Sequence, residues 1–175
     1  MYLFSIIDVF SKFGANYINN NKKSETILYY LKLFINIHGK PNSIHSDNGK
    51  EFKNEIIEAY CKNNNIKLIH GRPYHPQSQG CVESYNKEIK RLLQNKYLEN
   101  PEEFSIYIML PDYIEIYNNN IHSTTKYTPA YLFNCNDKNI IENVINNIKN
   151  SQNKKKILIM QLKIIRIVYY AVILI

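Results

Sequence analysis

Short β-rich apolar runs alternate in this chain with stretches whose apolar residues recur at helical spacing, and few folds accommodate that alternation. "YLFSII" (residues 2–7) ends at Asp8, and "GANYIN" (14–19) resumes after a turn at Lys12 to Gly14, so the chain opens on two consecutive strands. In "SETILYYLKLFINIHGKP", Ser24 is a good N-cap and Glu25 sits in the first turn. Ile27, Leu28, Leu31, Phe34 and Ile35 recur at helical spacing until Gly39 and Pro41 stop them, which predicts a helix over 24–38. "SIHSD" reads as a short buried strand, "KNEIIEAYCKNNN" as a helix with Ile56, Ile57 and Tyr60 inward, and "IKLIHG" as another strand. The order strand, strand, helix, strand, helix, strand predicts a mixed α/β sheet covered by helices.

A polar loop, "RPYHPQSQG", leads into "CVESYNKEIKRLLQNKYL", where Val82, Tyr85, Ile89, Leu92 and Leu93 form one apolar face of a long helix. A further helical stretch covers about 101–119, and "NNNIHSTTKYTPAYLF" is a polar loop followed by a short apolar segment behind Pro129. Beyond Cys135 the sequence turns to Asn, Ile and Lys with little periodicity. The expectation is one folded domain over 1–135 and a tail over 136–175 that is poorly ordered, degenerate or a simple helix.

Charge is a weak guide to partners. Of the formal +7, five positive charges (Lys154, Lys155, Lys156, Lys163 and Arg166) lie in 154–175, which has no acid, and +2 remains for the rest. The same segment is apolar, but Lys163 and Arg166 interrupt it and only nine uncharged residues follow, against the ~20 of a spanning helix, so no membrane role is expected. Three scattered cysteines fit a reducing compartment, and Cys61, His70, His75 and Cys81 lack the short spacings of a zinc site. "MYLFSIIDVFSKF" has no basic leader of a cleavable signal.

Asp47 follows the third strand, and Glu83 opens the long helix. Each has an ordinary explanation: Asp before Asn-Gly forms turns, and Glu in a first helical turn complements the dipole. A helix, a strand and a loop lie between them, which could return the helix start to the strand's edge. Two carboxylates that close repel one another unless divalent cations lie between them, and hard oxygen ligands suit Mg²⁺ or Mn²⁺. Glu83, Asn86, Lys87 and Lys90 stand at i, i+3, i+4 and i+7, putting an acid, an amide and two cations on one helical face. Lys87 and Lys90 on that face could reach phosphates, or Glu83 and Lys87 could simply pair on a solvated surface.

"IIDVFSKF", "HSDNGKEF", "YHPQSQGCVESYNKEIK" and "NNNIHSTTKYTPAYLF" resemble, in order and spacing, the catalytic core of retroviral-type integrases, especially those of gypsy-class LTR retrotransposons, over about residues 1–135. The resemblance implies an RNase H-like fold and DDE-type polynucleotidyl transfer that joins mobile-element DNA ends to target DNA with Mg²⁺ or Mn²⁺. It makes Asp47 and Glu83 catalytic metal ligands and directs Asn86, Lys87 and Lys90 at DNA. Gly80 becomes the hinge of the loop before the helix, with Gln77, His75 and Ser78 in that loop near DNA. A homo-oligomer and a nuclear site of action are implied as well.

The family's first acid lies on a strand upstream of the "IDVFSK" strand. Asp8 does not match it and reads as a turn former toward Ser11. The fold is therefore expected to lack its first strand, β-pairing at its neighbour is expected to suffer, and catalysis is expected to be weak or lost. The alternative is a relict, non-catalytic nucleic-acid-binding domain. An RNase H-like nuclease unrelated to transposition is a third option, against which the "HSTTKYTP" segment counts.

Overall fold

A computed structural model describes the backbone of residues 1–71, 76–151 and 167–174, and side chains within 1–71 and 80–149. Strands β1 (Tyr2–Asp8) and β2 (Gly14–Asn19) form an antiparallel hairpin with Tyr2 opposite Asn19 and Ile7 opposite Gly14. Helix α1 (Ser24–His38), strand β3 (Ser43–Ser46), helix α2 (Glu55–Asn63) and strand β4 (Lys67–His70) follow, with β3 and β4 parallel. Helices α3 (Pro76–Glu99), α4 (Ile106–Asn119), α5 (Pro129–Phe133) and α6 (Lys138–Ser151) are the other helices among the described residues.

The period-two alternation of β1 explains the three-layer packing, with helices on both faces of the sheet. Phe4 and Ile6 point to one face of the sheet and join Ile27, Leu31 and Phe34 of α1 and Ile57 and Cys61 of α2. Leu3 and Ile7 point to the other face and join Val82, Tyr85, Ile89 and Leu93 of α3 and Ile106 and Leu110 of α4. β1 is buried on both faces, and each such Leu, Ile or Phe side chain contributes roughly 1.5–3 kcal/mol. α4 is fastened to the sheet by buried Asn118, whose Oδ1 accepts from Gly14 N at 2.9 Å while its Nδ2 donates to Gly14 O at 2.8 Å. Gly14 must lack a side chain, because a Cβ there would overlap the Tyr85 ring.

A fifth strand, β5 (Ile167–Leu174), completes the sheet in the order β2-β1-β5-β3-β4. It runs antiparallel to β1, with Tyr2 opposite Leu174 and Asp8 opposite Val168, and parallel to β3, with Ser46 opposite Tyr170. The pairing loss expected at β1 is therefore absent: a strand from the far end of the sequence takes the central position. Its sequence, "IVYYAVIL", is the unbroken apolar run typical of a strand covered on both faces. The tail, expected to be poorly ordered, degenerate or a simple helix, contains a helix, α6, and also a strand, β5, and 152–166 lie outside the described residues.

Smaller corrections concern helix ends. Ser24 is not the cap of α1: Lys23 holds that position without a side-chain cap bond, and the Asn21 carboxamide accepts from Lys23 N and Thr26 Oγ1 instead. Ile56 is 39% exposed, and α2 turns Ile57 and Cys61 inward, with Asn54 Oδ1 capping its first turn by accepting from Ile57 N at 3.0 Å. The loop expected over 72–80 gives way to helix at Pro76, a favoured residue for a helix's first position. No helix among the described residues is long and apolar enough to cross a membrane.

Candidate metal and nucleic-acid site

Strand β3 ends at Ser46, and the chain leaves the sheet through a tightly bonded turn. Asp47 Oδ1 accepts from Gly49 N at 2.9 Å, the turn-forming bond expected of Asp before Asn-Gly. Asn48 Nδ2 donates to Gly71 O at 2.7 Å, and Gly71 N donates to Ser46 O at 2.8 Å, so the turn is tied to the end of β4. Ser46 Oγ donates to Asp47 O at 2.9 Å, and its one proton cannot also serve His70 Nδ1, 2.9 Å away. His70 therefore donates there and carries its proton on Nδ1. Phe52, fully buried, anchors the far side of the turn, with its N–H on Gly49 O at 3.0 Å.

This turn also contains a carboxylate to which the sequence reading assigned no role. A Cβ built on Gly49 would lie 2.6 Å from Glu51 Oε2 and 2.9 Å from Asp47 Oδ1, so the two carboxylates converge on the space that Gly49 leaves open. The signal was present in "SDNGKEF", where two acids flank the glycine, but only the turn brings their oxygens together.

The structure divides the α3 residues singled out by sequence. Glu83 and Lys87 are exposed and Lys90 is half-buried, on the outward side of the helix. The Glu83–Lys87 pair does not form: among the described residues, the ion pairs of α3 are Glu88–Arg91 at 2.7 Å and Lys96–Glu99 at 3.1 Å. Asn86 departs from the expected solvent face. It is only 6% exposed, and its Oδ1 has no hydrogen-bond partner among the described residues. Four residues at i, i+3, i+4 and i+7 span enough of the helix circumference that the i+3 member meets the core.

Gly80 lies inside α3 rather than at a loop hinge. Its φ is not positive, and a Cβ there would meet nothing within 4 Å. Gln77 and Ser78 are in the first turn of α3, where side chains are not described, and His75 lies outside the described residues. Asp8 is buried and serves its turn: its Oδ2 accepts from Ser11 N at 2.8 Å and from Ser11 Oγ at 2.6 Å.

The donor chemistry fits a hard cation. Mg²⁺ commonly takes one or two carboxylates, keeping waters and substrate phosphates for its other positions, and Asp47 and Glu51 are oxygen donors of that kind at one turn. No group of three or more His, Cys, Asp or Glu that could hold a metal occurs among the described residues.

Comparison with known proteins adds an independent line. Residues 1–76 match the family described as Integrase core domain. The chain is 40% identical over 92 residues to the Pro-Pol polyprotein of simian foamy virus type 3 (strain LK3), an alignment covering 53% of this chain and 8% of that polyprotein. It is 36% identical over 113 residues to the feline foamy virus Pro-Pol polyprotein, covering 63% of this chain and 10% of the other. The chain thus spans no more than about a tenth of these relatives.

Among solved structures, the HTLV-2 integrase catalytic core in complex with magnesium (trimeric form) superposes with a TM-score of 0.62 at 25% identity, over 75% of this chain and 84% of that one. A simian T-cell lymphotropic virus intasome in complex with PP2A regulatory subunit B56 gamma superposes with a TM-score of 0.71 at 24% identity, over 78% of this chain and 49% of that one, a likeness of fold. The mixed sheet flanked by helices is therefore the RNase H-like fold of integrase catalytic cores, and residues 1–76 match the integrase core domain family.

Proposed function

We propose that the chain takes part in DNA integration, through metal-dependent polynucleotidyl transfer that joins mobile-element DNA ends to target DNA. The observation that carries this reading is the carboxylate-bearing turn at the end of β3, set in an integrase-core fold. In this reading Asp47 and Glu83 hold Mg²⁺ or Mn²⁺, with Glu51 beside Asp47. The bound cation would lower the charge barrier at the scissile phosphodiester. Lys87 and Lys90 hold flanking phosphates as positioning cations, and no covalent protein intermediate is required. Donor and target DNA are the partners, a homo-oligomer is the working form, and the nucleus is the site of action.

Joining of labelled DNA ends to a target duplex in Mn²⁺ tests this. The chain is expected to join weakly, and Asp47→Asn or Glu83→Gln is expected to remove the activity. Joining that persists unchanged in either variant overturns the assignment.

One observation favours a second reading, a non-catalytic nucleic-acid-binding domain: among the described residues no third metal-ligating side chain joins the acids. That reading expects no joining, together with salt-sensitive DNA binding that survives Asp47→Asn. Undetectable binding at low salt removes it.

A further inference from the structure

Lys12 stands in the β1–β2 turn with φ 69°, and its ammonium reaches under α3 to within 3.4 Å of the Cys81 thiol. A thiol is a weak acceptor, and Lys12 has no carboxylate partner among the described residues. The ammonium borders a cavity of about 560 Å³ between α3 and the 120–124 segment, a size within the roughly 300–1,000 Å³ range of small-ligand sites.

The remaining polar lining is mostly neutral. Glu88 is engaged by Arg91 through Nη2 at 2.7 Å and Nε at 3.3 Å, so its charge is already matched. His122 Nδ1 accepts from Thr124 N at 3.2 Å, which leaves the ring proton of the neutral form on Nε2. Burial, and then the Lys12 ammonium, hold His122 below its usual pKa and so neutral. Ser84 and Thr124 add hydroxyls, while Leu92 and Ile121 form an apolar wall. One unneutralised ammonium, neutral donors and an apolar wall match a phosphate ester that carries a flat, weakly polar group.

We propose that this cavity binds one nucleotide unit of a nucleic acid, with its phosphate on Lys12 and the Ser84 and Thr124 hydroxyls and its base against Leu92 and Ile121. The inference rests on the nucleic-acid reading above and deepens it: α3 then meets nucleic acid along two of its sides, through Glu83 and Lys87 outward and Ser84 toward the cavity.

The test is titration of the chain with deoxyadenosine 5′-monophosphate and with deoxyadenosine, followed by amide chemical shifts and calorimetry. The monophosphate is expected to bind at least tenfold tighter than the nucleoside and to shift Lys12 and residues 122–124. Lys12→Asn, which removes the charge with a residue that tolerates positive φ, is expected to weaken monophosphate binding about tenfold with its thermal melt retained. Thr124→Val provides a second variant away from the strained turn and is expected to weaken binding several-fold. Lys87→Ala and the Asp47→Asn, Glu83→Gln double variant are expected to leave binding unchanged, which separates this site from catalysis. Equal binding of monophosphate and nucleoside, no loss in folded Lys12→Asn and Thr124→Val, or shifts confined to the Glu83–Lys87 side would overturn the proposal. Such results would leave the metal-dependent joining assay standing on its own evidence.

Discussion

Gly80, expected to be a loop hinge, is instead a helical residue with open space where a Cβ would sit, and glycine inside a helix costs about 0.5–1 kcal/mol relative to alanine. Gly80→Ala is therefore expected to raise stability by about that amount in urea unfolding, and a drop in DNA joining despite the gain would reveal a need for motion at that position. Gly49 is the opposite case. Its missing side chain makes room for flexible carboxylate ends rather than backbone, so Gly49→Ala is expected to change the melt little while displacing Asp47 and Glu51 and weakening Mn²⁺ binding, read by calorimetry. His45 on β3 supplies a pH signature. Burial, and secondly the Lys67 ammonium, push it down to about 4 from 6.5. Between those values the unfolded chain takes up a proton that the folded chain refuses, so stability is complete above pH 6.5, falls as pH drops toward 4 and levels off below. About 1–2 kcal/mol is expected after solvent screening, and His45→Gln should flatten that limb of urea midpoints measured between pH 7 and 4. Glu51 shows why single residues were only partly legible: both acids of "SDNGKEF" are visible in the sequence, but their convergence on one point is a property of the turn.

The elements were more readable than the site. β1, β2, α1, β3 and β4 lie where apolar periodicity puts them, because each buries a stripe or face whose spacing is set by backbone geometry. The start of α3 was misplaced because "HPQSQG" has loop composition, while Pro76 suits a first helical turn. β5 was not foreseen at all, since an apolar run does not state which strands it will join. Its central place makes a direct prediction. Tyr170 lies opposite both Ile6 of β1 and Ser46 of β3, so Tyr170→Pro removes ladder bonding from the middle of the sheet and is expected to lower the urea midpoint markedly. A chain ending at residue 166 should lose cooperative unfolding, because β1 and β3 then share no strand; a two-state melt in that shortened chain would show that β5 is dispensable.

Across the molecule, five of the formal positive charges are concentrated in 154–175, so salt sensitivity of DNA binding has a source outside α3 that mutation can separate from Lys87 and Lys90. Lys87→Ala and Lys90→Ala are each expected to lower the slope of log affinity against log salt by about 1 if each contacts a phosphate, measured by fluorescence anisotropy on duplex DNA. Unchanged slopes would show that neither lysine holds a phosphate. By itself, the sequence determined the alternation of elements, the resemblance of its motifs to integrase cores, and the turn-forming character of Asp8 and Asp47, because periodicity and turn chemistry are local. Only the tertiary structure decided that Asn86 faces the core, that Glu51 joins Asp47, that Lys12 and Thr124 share a cavity, and that β5 lies between β1 and β3. Those facts depend on contacts between residues distant in sequence or on the exact path of a turn, and neither is written in the spacing of any one segment.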